Sequence, residues 1–265
     1  AGLSTGIIKP TTRFTCTGAV RIGRRSFRCW RRHGTIDLIR AIGQSCDSYF
    51  YQVGMLLKAN RLAQYAHAFR LGEPTGIDLF GERTGLVPTP EWKRKRFNAP
   101  WYGGDTANFS IGQGYLLTTP LQMCLVATAI ANNGIIYQPH LVRAIVTLDG
   151  KLVRRTIPTV LTRVPLSPRN WRAVHQGMLW AVYGAGGTAS RLRGLPIKVA
   201  GKTGSAEHGS GNEPHAWFIG YAPADAPRIA FSVVVEEGGH GGETAVPVVR
   251  QVLKEMLHWF ADAHN

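Results

Sequence analysis

Val199-Ala200-Gly201-Lys202-Thr203-Gly204-Ser205-Ala206-Glu207 is the stretch on which the fold turns. Its apolar lead-in reads as a strand, and a second strand-like run, His215-Ala216-Trp217-Phe218-Ile219-Gly220, follows it. Each residue of Lys202-Thr203-Gly204 has a use in acyl-transfer chemistry. The Lys202 ammonium can set the electrostatics of such a site and attract a carboxylate. The Thr203 hydroxyl can hydrogen-bond that carboxylate. Gly204 presents no side chain, so an extended substrate can lie along the strand edge. The next backbone N–H, on Ser205, can help form an oxyanion hole. A Lys-Thr-Gly outside such a strand–loop–strand setting is usually a turn.

Working outward, residues 197–200, 215–221 and 228–235 are strand-like, with Gly and Pro between them, and residues 245–263 form a closing amphipathic helix. Upstream the pattern is mostly helical. Asp37, Leu38, Ile39, Ala41 and Ile42 start one helix, and after a break at residues 43–47 Ser48 can cap another carrying Phe50, Tyr51, Val53, Met55 and Leu56. Residues 61–70 make a short helix ended by Gly72 and Pro74, residues 119–132 a stronger one with Pro120 in its first turn, and residues 168–183 a further amphipathic one. Residues 72–115 read as a long Gly- and Pro-rich excursion of the functional kind, and residues 1–33 as loop with short strand pieces. Helices first, then an antiparallel meander and a terminal helix, give an α+β class. The expected division is residues 1–34 as a metal-binding loop region, 35–196 as a mainly helical subdomain, and 197–265 as sheet and C-terminal helix.

The chain has 265 residues, 44% of them hydrophobic and 18% charged, a globular composition. No apolar run approaches the roughly 18 residues of a membrane span, and no signal peptide opens the chain. The formal net charge of +15 suggests an anionic partner in general terms. The charge collects in Arg21, Arg24, Arg25, Arg28, Arg31 and Arg32, and again in Lys93, Arg94, Lys95 and Arg96, which read as two solvated loops. No helix-turn-helix, RNP-like or zinc-finger spacing favours nucleic acid, which is not expected as a partner.

Ser45-Cys46-Asp47 falls in the break between two helices. Alone it reads as an ordinary capping loop. Together with Lys202-Thr203-Gly204 it reads as a hydroxyl with a polar partner that relays protons or holds a substrate amide. On these motifs the chain resembles the penicillin-binding proteins, whose serine acyl-transferase fold carries Ser-x-x-Lys, then Ser-x-Asn or Ser-x-Asp, then Lys-Thr-Gly. Asp105-Thr106-Ala107-Asn108-Phe109-Ser110-Ile111-Gly112-Gln113-Gly114, Thr118-Thr119-Pro120-Leu121-Gln122-Met123, Gly186-Gly187-Thr188-Ala189 and His215-Ala216-Trp217-Phe218-Ile219-Gly220-Tyr221-Ala222-Pro223 resemble stretches of these transpeptidases. Ser45-Cys46-Asp47-Ser48-Tyr49-Phe50-Tyr51 is similar to the class B, elongation-type branch.

The resemblance implies a serine β-lactamase/transpeptidase-like fold, with D,D-transpeptidation of peptidoglycan stem peptides through an acyl-enzyme and inhibition by β-lactams. Elongation-complex membrane proteins are the implied partners, and the periplasmic face of the inner membrane the implied location. Its implied catalytic residues are Ser45, Asp47, Lys202, Thr203, Gly204 and Ser205. One motif departs: none of the eight lysines has a serine three residues before it, so no Ser-x-x-Lys occurs. Ala1-Gly2-Leu3-Ser4-Thr5-Gly6 looks like the end of the helix that should carry it. The expectation is a transpeptidase domain whose N-terminal strands and nucleophile helix are missing, inactive by itself. A serine β-lactamase-like relative and a metal-stabilised, non-enzymatic binding module are the alternatives.

The cysteines add an expectation from spacing. Cys16, Cys29, His33 and Cys46 follow Cys-x12-Cys-x3-His-x12-Cys, and three thiolates with one imidazole suit a closed tetrahedral structural zinc site. A Cys16–Cys29 disulfide and unlinked buried cysteines compete with it. A metal on Cys46 would also fix the backbone between Ser45 and Asp47.

Overall fold

A computed structural model describes residues 1–209 and 211–261. The β-branched and aromatic runs of the C-terminal third form β10 (His215–Ala222) and β11 (Ile229–Val235), and the small-residue stretch that carries the motif forms β9 (Ala200–Ala206). They make an antiparallel sheet in the order β11-β10-β9, with Lys202 opposite Ile219 and Gly204 opposite Trp217. β9 is therefore an edge strand. One face of the sheet buries Ala216, Phe218 and Ala222 against Val246, Val249 and Leu253 of α8 (Ala245–Glu255). On the other face Ala200 and Tyr221 pack with Leu125 of α6 (Pro120–Ala131) and with Trp171 and Met178 of α7 (Pro168–Tyr183).

The capping signals explain the two long helices. Thr119 accepts the Gln122 N–H while the Gln122 side chain accepts the Thr119 N–H, a reciprocal capping box ahead of Pro120. Ser167 caps α7 in front of Pro168. The N-terminal third holds β1 (Phe14–Cys16) paired with β4 (Gly34–Ile36), and the hairpin of β2 (Ala19–Ile22) with β3 (Arg25–Arg28). These border α1 (Leu38–Gly43), α2 (Asp47–Leu57) and α3 (Ala59–Ala68). α1 lies so close on α7 that a methyl group on Gly43 would meet Trp180 Cδ1 at 2.4 Å.

Several expectations change here. Residues 72–115 are not one irregular excursion, since they contain α4 (Pro90–Phe97) and α5 (Gly103–Ser110). Lys93 is not in a solvated loop: it is 5% exposed, with Nζ 2.6 Å from Asp105 Oδ2. Ser48 does not cap α2, which starts at Asp47. Ser48 is buried within the first turn, and its Oγ has no hydrogen-bond partner. The strand expected at residues 197–200 instead begins at Ala200 and runs through Lys202-Thr203-Gly204, so these residues sit in a ladder rather than a loop. The subdomain 35–196 is less helical than expected. Between α6 and α7, β5 (Ile135–Tyr137) pairs with β8 (Val160–Arg163), and β6 (Ala144–Val146) with β7 (Leu152–Arg155). The closing helix is broken at Met256 and resumes as α9 (Leu257–Ala261); residues 262–263 of that expectation lie outside the described residues.

Candidate functional site

α1 ends in a turn that decides where Ser45 points. The Cys46 N–H bonds the Ala41 carbonyl and the Ser45 N–H the Ile42 carbonyl, the two bonds of a Schellman motif. That motif needs a left-handed residue at its centre, commonly glycine, and here it is Ser45 at φ +53°. A side chain held in this region is strained and persists only when its surroundings over-determine it. They do so. The Trp30 indole N–H donates to the Ser45 carbonyl at 2.9 Å, and Trp30 and His33 both reach the Gln44 carbonyl, at 3.1 and 3.2 Å.

Across the cleft, β9 presents Lys202 to this turn. Lys202 Nζ donates to Ser45 Oγ at 2.7 Å and to the Thr203 carbonyl at 2.5 Å. Residues 157 positions apart thus meet in one hydrogen bond. Asp47, at the start of α2, faces the same ammonium. Gly204 keeps the strand edge clear next to Trp217. Ser205 lies at the outer end, its Oγ 3.4 Å from His240 Nδ1. Thr203 is placed differently from its neighbours: it is 7% exposed and its hydroxyl bonds Thr188 Oγ1 at 2.7 Å. Strand alternation puts its side chain on the face opposite Lys202.

Two residues given no role in the sequence reading belong to this site. Gln113 Nε2 donates to the Ser205 carbonyl at 2.9 Å and ties the end of α5 to β9. Thr188 holds the Thr203 hydroxyl. Both sit in stretches already picked out as distinctive, but a glutamine beside two glycines carries no chemical signal of its own.

Burial tunes the facing charges. It pushes the Asp47 carboxyl up to about 7, helped by the negative charge of a Cys29 thiolate and opposed by Lys202. Burial also pushes Lys202 down to about 8, with Asp47 opposing. Between its ordinary value near 3.8 and about 7, Asp47 holds more proton in the folded than in the unfolded chain. Its contribution to stability is therefore full in acid and is lost as pH rises through that window. Lys202 has the opposite sign: from about 8 to 10.5 the unfolded chain holds more proton, so stability rises with pH. Urea titrations from pH 4 to 10.5 are expected to show both arms, each about 2 kcal/mol after partial solvent screening. Asp47→Asn should flatten the first arm alone and Lys202→Met the second; variants that leave both arms intact would refute the assignment.

Cys16 at the end of β1, Cys29 after β3, His33 before β4 and Cys46 before α2 bring one ligand atom each to within 4.8 Å of one another. The three cysteines are buried and free. His33 Nδ1 lies 3.5 Å from both Cys16 Sγ and Cys29 Sγ. A tetrahedral ion with bonds of about 2.3 Å to sulfur and about 2.0–2.1 Å to nitrogen requires S···N edges of roughly 3.5 Å. His33 Nε2 faces the Gln44 carbonyl, which holds the proton there and leaves Nδ1 free to ligate. The thiols are polarised against one another. A hydrogen bond from Cys46 holds the Cys29 thiol below its ordinary value, and the same bond pushes Cys46 up. The residues fit a structural zinc ion, and this cluster adjoins the Ser45 turn directly.

The family model described as penicillin binding protein transpeptidase domain matches residues 1–254. The peptidoglycan D,D-transpeptidase MrdA of Haemophilus influenzae is 36% identical over 253 residues, covering 88% of this chain and 38% of that protein. The chain spans less than half the length of the curated relatives it matches. Among solved structures, Pseudomonas aeruginosa PBP2 in complex with WCK 5153 aligns with a TM-score of 0.86 at 37% identity, covering 99% of this chain and 57% of that one. The Helicobacter pylori PBP2 of a complex with MreC aligns with a TM-score of 0.84 at 30% identity, covering 97% and 48%.

Proposed function

The chain belongs to the penicillin-binding protein transpeptidase family, and from that premise we propose that it supplies the substrate-binding and proton-relay side of a peptidoglycan D,D-transpeptidase. The observation that carries the reading is the 2.7 Å bond between Lys202 Nζ and Ser45 Oγ. It joins two motifs that the sequence keeps far apart and sets them beside the edge strand β9. A stem peptide adds to β9 as an extended strand, its terminal carboxylate near the Lys202 ammonium. The Ser45 hydroxyl, bonded to that ammonium, passes a proton between Lys202 and the reacting group. Thr203 acts from behind the edge through Thr188, and Gly204 and Ser205 offer their backbone to the peptide. Asp47 balances the charge of Lys202.

No Ser-x-x-Lys occurs in these 265 residues, so acylation itself needs a serine they do not provide. β-Lactams, as mimics of the stem terminus, are ligands of the same cleft. By likeness to the relatives, partners lie among the membrane proteins of the elongation complex, and the site of action is the periplasmic face of the inner membrane. Among the described residues no helix is long and apolar enough to cross a membrane. The non-enzymatic module and the β-lactamase-like alternative are not favoured by the relatives.

Zinc on Cys16, Cys29, His33 and Cys46 is part of the same proposal. Its role is structural: it grips the residue between Ser45 and Asp47 and so holds the strained turn. The activity reading is tested with a fluorescent penicillin. The 265 residues alone are expected to form no adduct, and the same residues joined to a relative's Ser-x-x-Lys segment to form one that Lys202→Met strongly slows. An adduct on a serine of the chain alone, or one indifferent to Lys202→Met, would overturn the proposal.

A further inference from the structure

A second concave surface lies away from the Ser45 turn. An open groove of about 820 Å³ runs between the α2–α3 junction and the α4–α5 junction. Its size is within the roughly 300–1,000 Å³ usual for ligand sites. Two aromatic side chains form one wall, and both are fixed. Trp101 donates its indole N–H to Thr106 Oγ1 at 2.8 Å. The Tyr102 backbone N–H bonds Asp105 Oδ2 at 2.7 Å, and its ring sits over Lys93 Nζ at 4.8 Å. The ring is nonetheless 59% exposed, so its remaining surface is open to the groove. The facing wall carries Asn60, Arg61 and Gln64, all exposed, and no side chain of these three bonds another described residue.

A rigid aromatic platform opposite unengaged amides and one guanidinium is a carbohydrate-type arrangement. Sugar rings offer apolar faces to aromatic rings and hydroxyl or acetamide groups to amides. Arg61 adds a donor for a pendant carbonyl or carboxylate. Distance narrows the class. α2 has 11 residues, with Asp47 at the Ser45 turn and Leu57 at the groove. At 1.5 Å per residue the two lie about 15 Å apart. An extended peptide of four or five residues spans about the same length.

We propose that this groove is a subsite for the glycan strand of peptidoglycan, stacked on Trp101 and Tyr102 with the muramic acid lactyl group on Arg61 (an amide carbonyl where a stem peptide is attached, a carboxylate in the peptide-free sugar), so that a stem peptide joined to that group reaches from it to β9. The proposal rests on the transpeptidase reading for its choice of glycan. Its test uses the full chain and a soluble, peptide-free oligosaccharide of alternating N-acetylglucosamine and N-acetylmuramic acid, followed by calorimetry and by Trp101 fluorescence. Saturable binding is expected, weakened about tenfold by Tyr102→Ala. Arg61→Ala should weaken it too, while leaving binding of an all-N-acetylglucosamine oligomer unchanged. The exposed pair Asn60→Ala and Gln64→Ala breaks no hydrogen bond of the fold, and it decides the matter if Tyr102→Ala loosens α5. Lys202→Met should abolish stem-peptide binding and leave glycan binding intact, so the two readings fail separately. Absence of glycan binding at millimolar concentration, or binding indifferent to all these variants, would overturn the subsite.

Discussion

On the zinc proposal, replacing Cys46 with serine is expected to lower the metal content of the chain and to lower its melting temperature by about 10 °C or more. Cys46 is fully buried, and its Sγ belongs to a set whose four ligand atoms lie within 4.8 Å. A serine hydroxyl is a poor zinc ligand, and three remaining donors leave the tetrahedron open. Structural zinc contributes about 10–16 kcal/mol of apparent binding energy in small domains. Losing even a third of that lowers the melting temperature of a chain this size by roughly 10 °C. The surroundings add to the cost: within β1 to β4 only Cys16 and Ile36 are buried, and Cys16, Cys29 and Cys46 belong to the same core cluster as Ile36. The Ser45 turn should loosen as well, since Trp30 and His33 hold its carbonyls from the side of the cysteine cluster. Elemental analysis and thermal melts check this, with Cys124→Ser as a variant that leaves metal content unchanged. Wild-type chain without stoichiometric metal, and with a mass two hydrogens below the reduced value, would replace zinc by a Cys16–Cys29 disulfide.

Lys93→Met is expected to cost about 3–5 kcal/mol in urea denaturation, the usual result of leaving one half of a buried ion pair unpaired. The pair is short at 2.6 Å, and its side chains are only 7% and 16% exposed. Asp105 is also committed to the Tyr102 N–H and to the start of α5. With its cation gone, that carboxylate stays buried against Tyr102 and Tyr115, two rings that now face Lys93. The double change Lys93→Met with Asp105→Asn keeps an acceptor for Tyr102 and no net charge, so it should recover part of the loss. A loss under 1 kcal/mol for the single variant would show that the pair is solvated after all.

These two sites divide what is legible in the residues from what is not. Lys202-Thr203-Gly204 and the helices begun by Pro120 and Pro168 are legible because the signals are local: apolar period, proline in the first turn, a threonine or serine cap. The four metal-type residues are recognisable by type and spacing, and the fold then brings them together from separate elements. α4 and α5 are not legible, because each has only 8 residues and neither carries an apolar stripe. Tertiary contacts make them: Lys93 turns inward to Asp105, and Gly103 and Gly104 let Ile22 and Phe27 approach. Ser48 has the residue type of a cap but sits one position inside the helix, where packing buries it. The left-handed backbone of Ser45 is invisible for the same reason, since serine rarely adopts it unless its neighbours enforce it. Thr203 facing Thr188 rather than the cleft is a matter of strand alternation, which becomes readable only once the strand is known to run through the motif.

On the proposed function, β9 and the Ser45 turn together bind a peptidoglycan stem. The most direct measurement is a titration of the isotopically labelled chain with a stem peptide ending in D-alanyl-D-alanine, followed by backbone amide shifts. Saturable shifts are expected at Thr203, Gly204, Ser205 and Ser45, with competition by an intact β-lactam and loss of binding in Lys202→Met. Shifts confined to other surfaces, or an affinity unchanged by Lys202→Met, would contradict it.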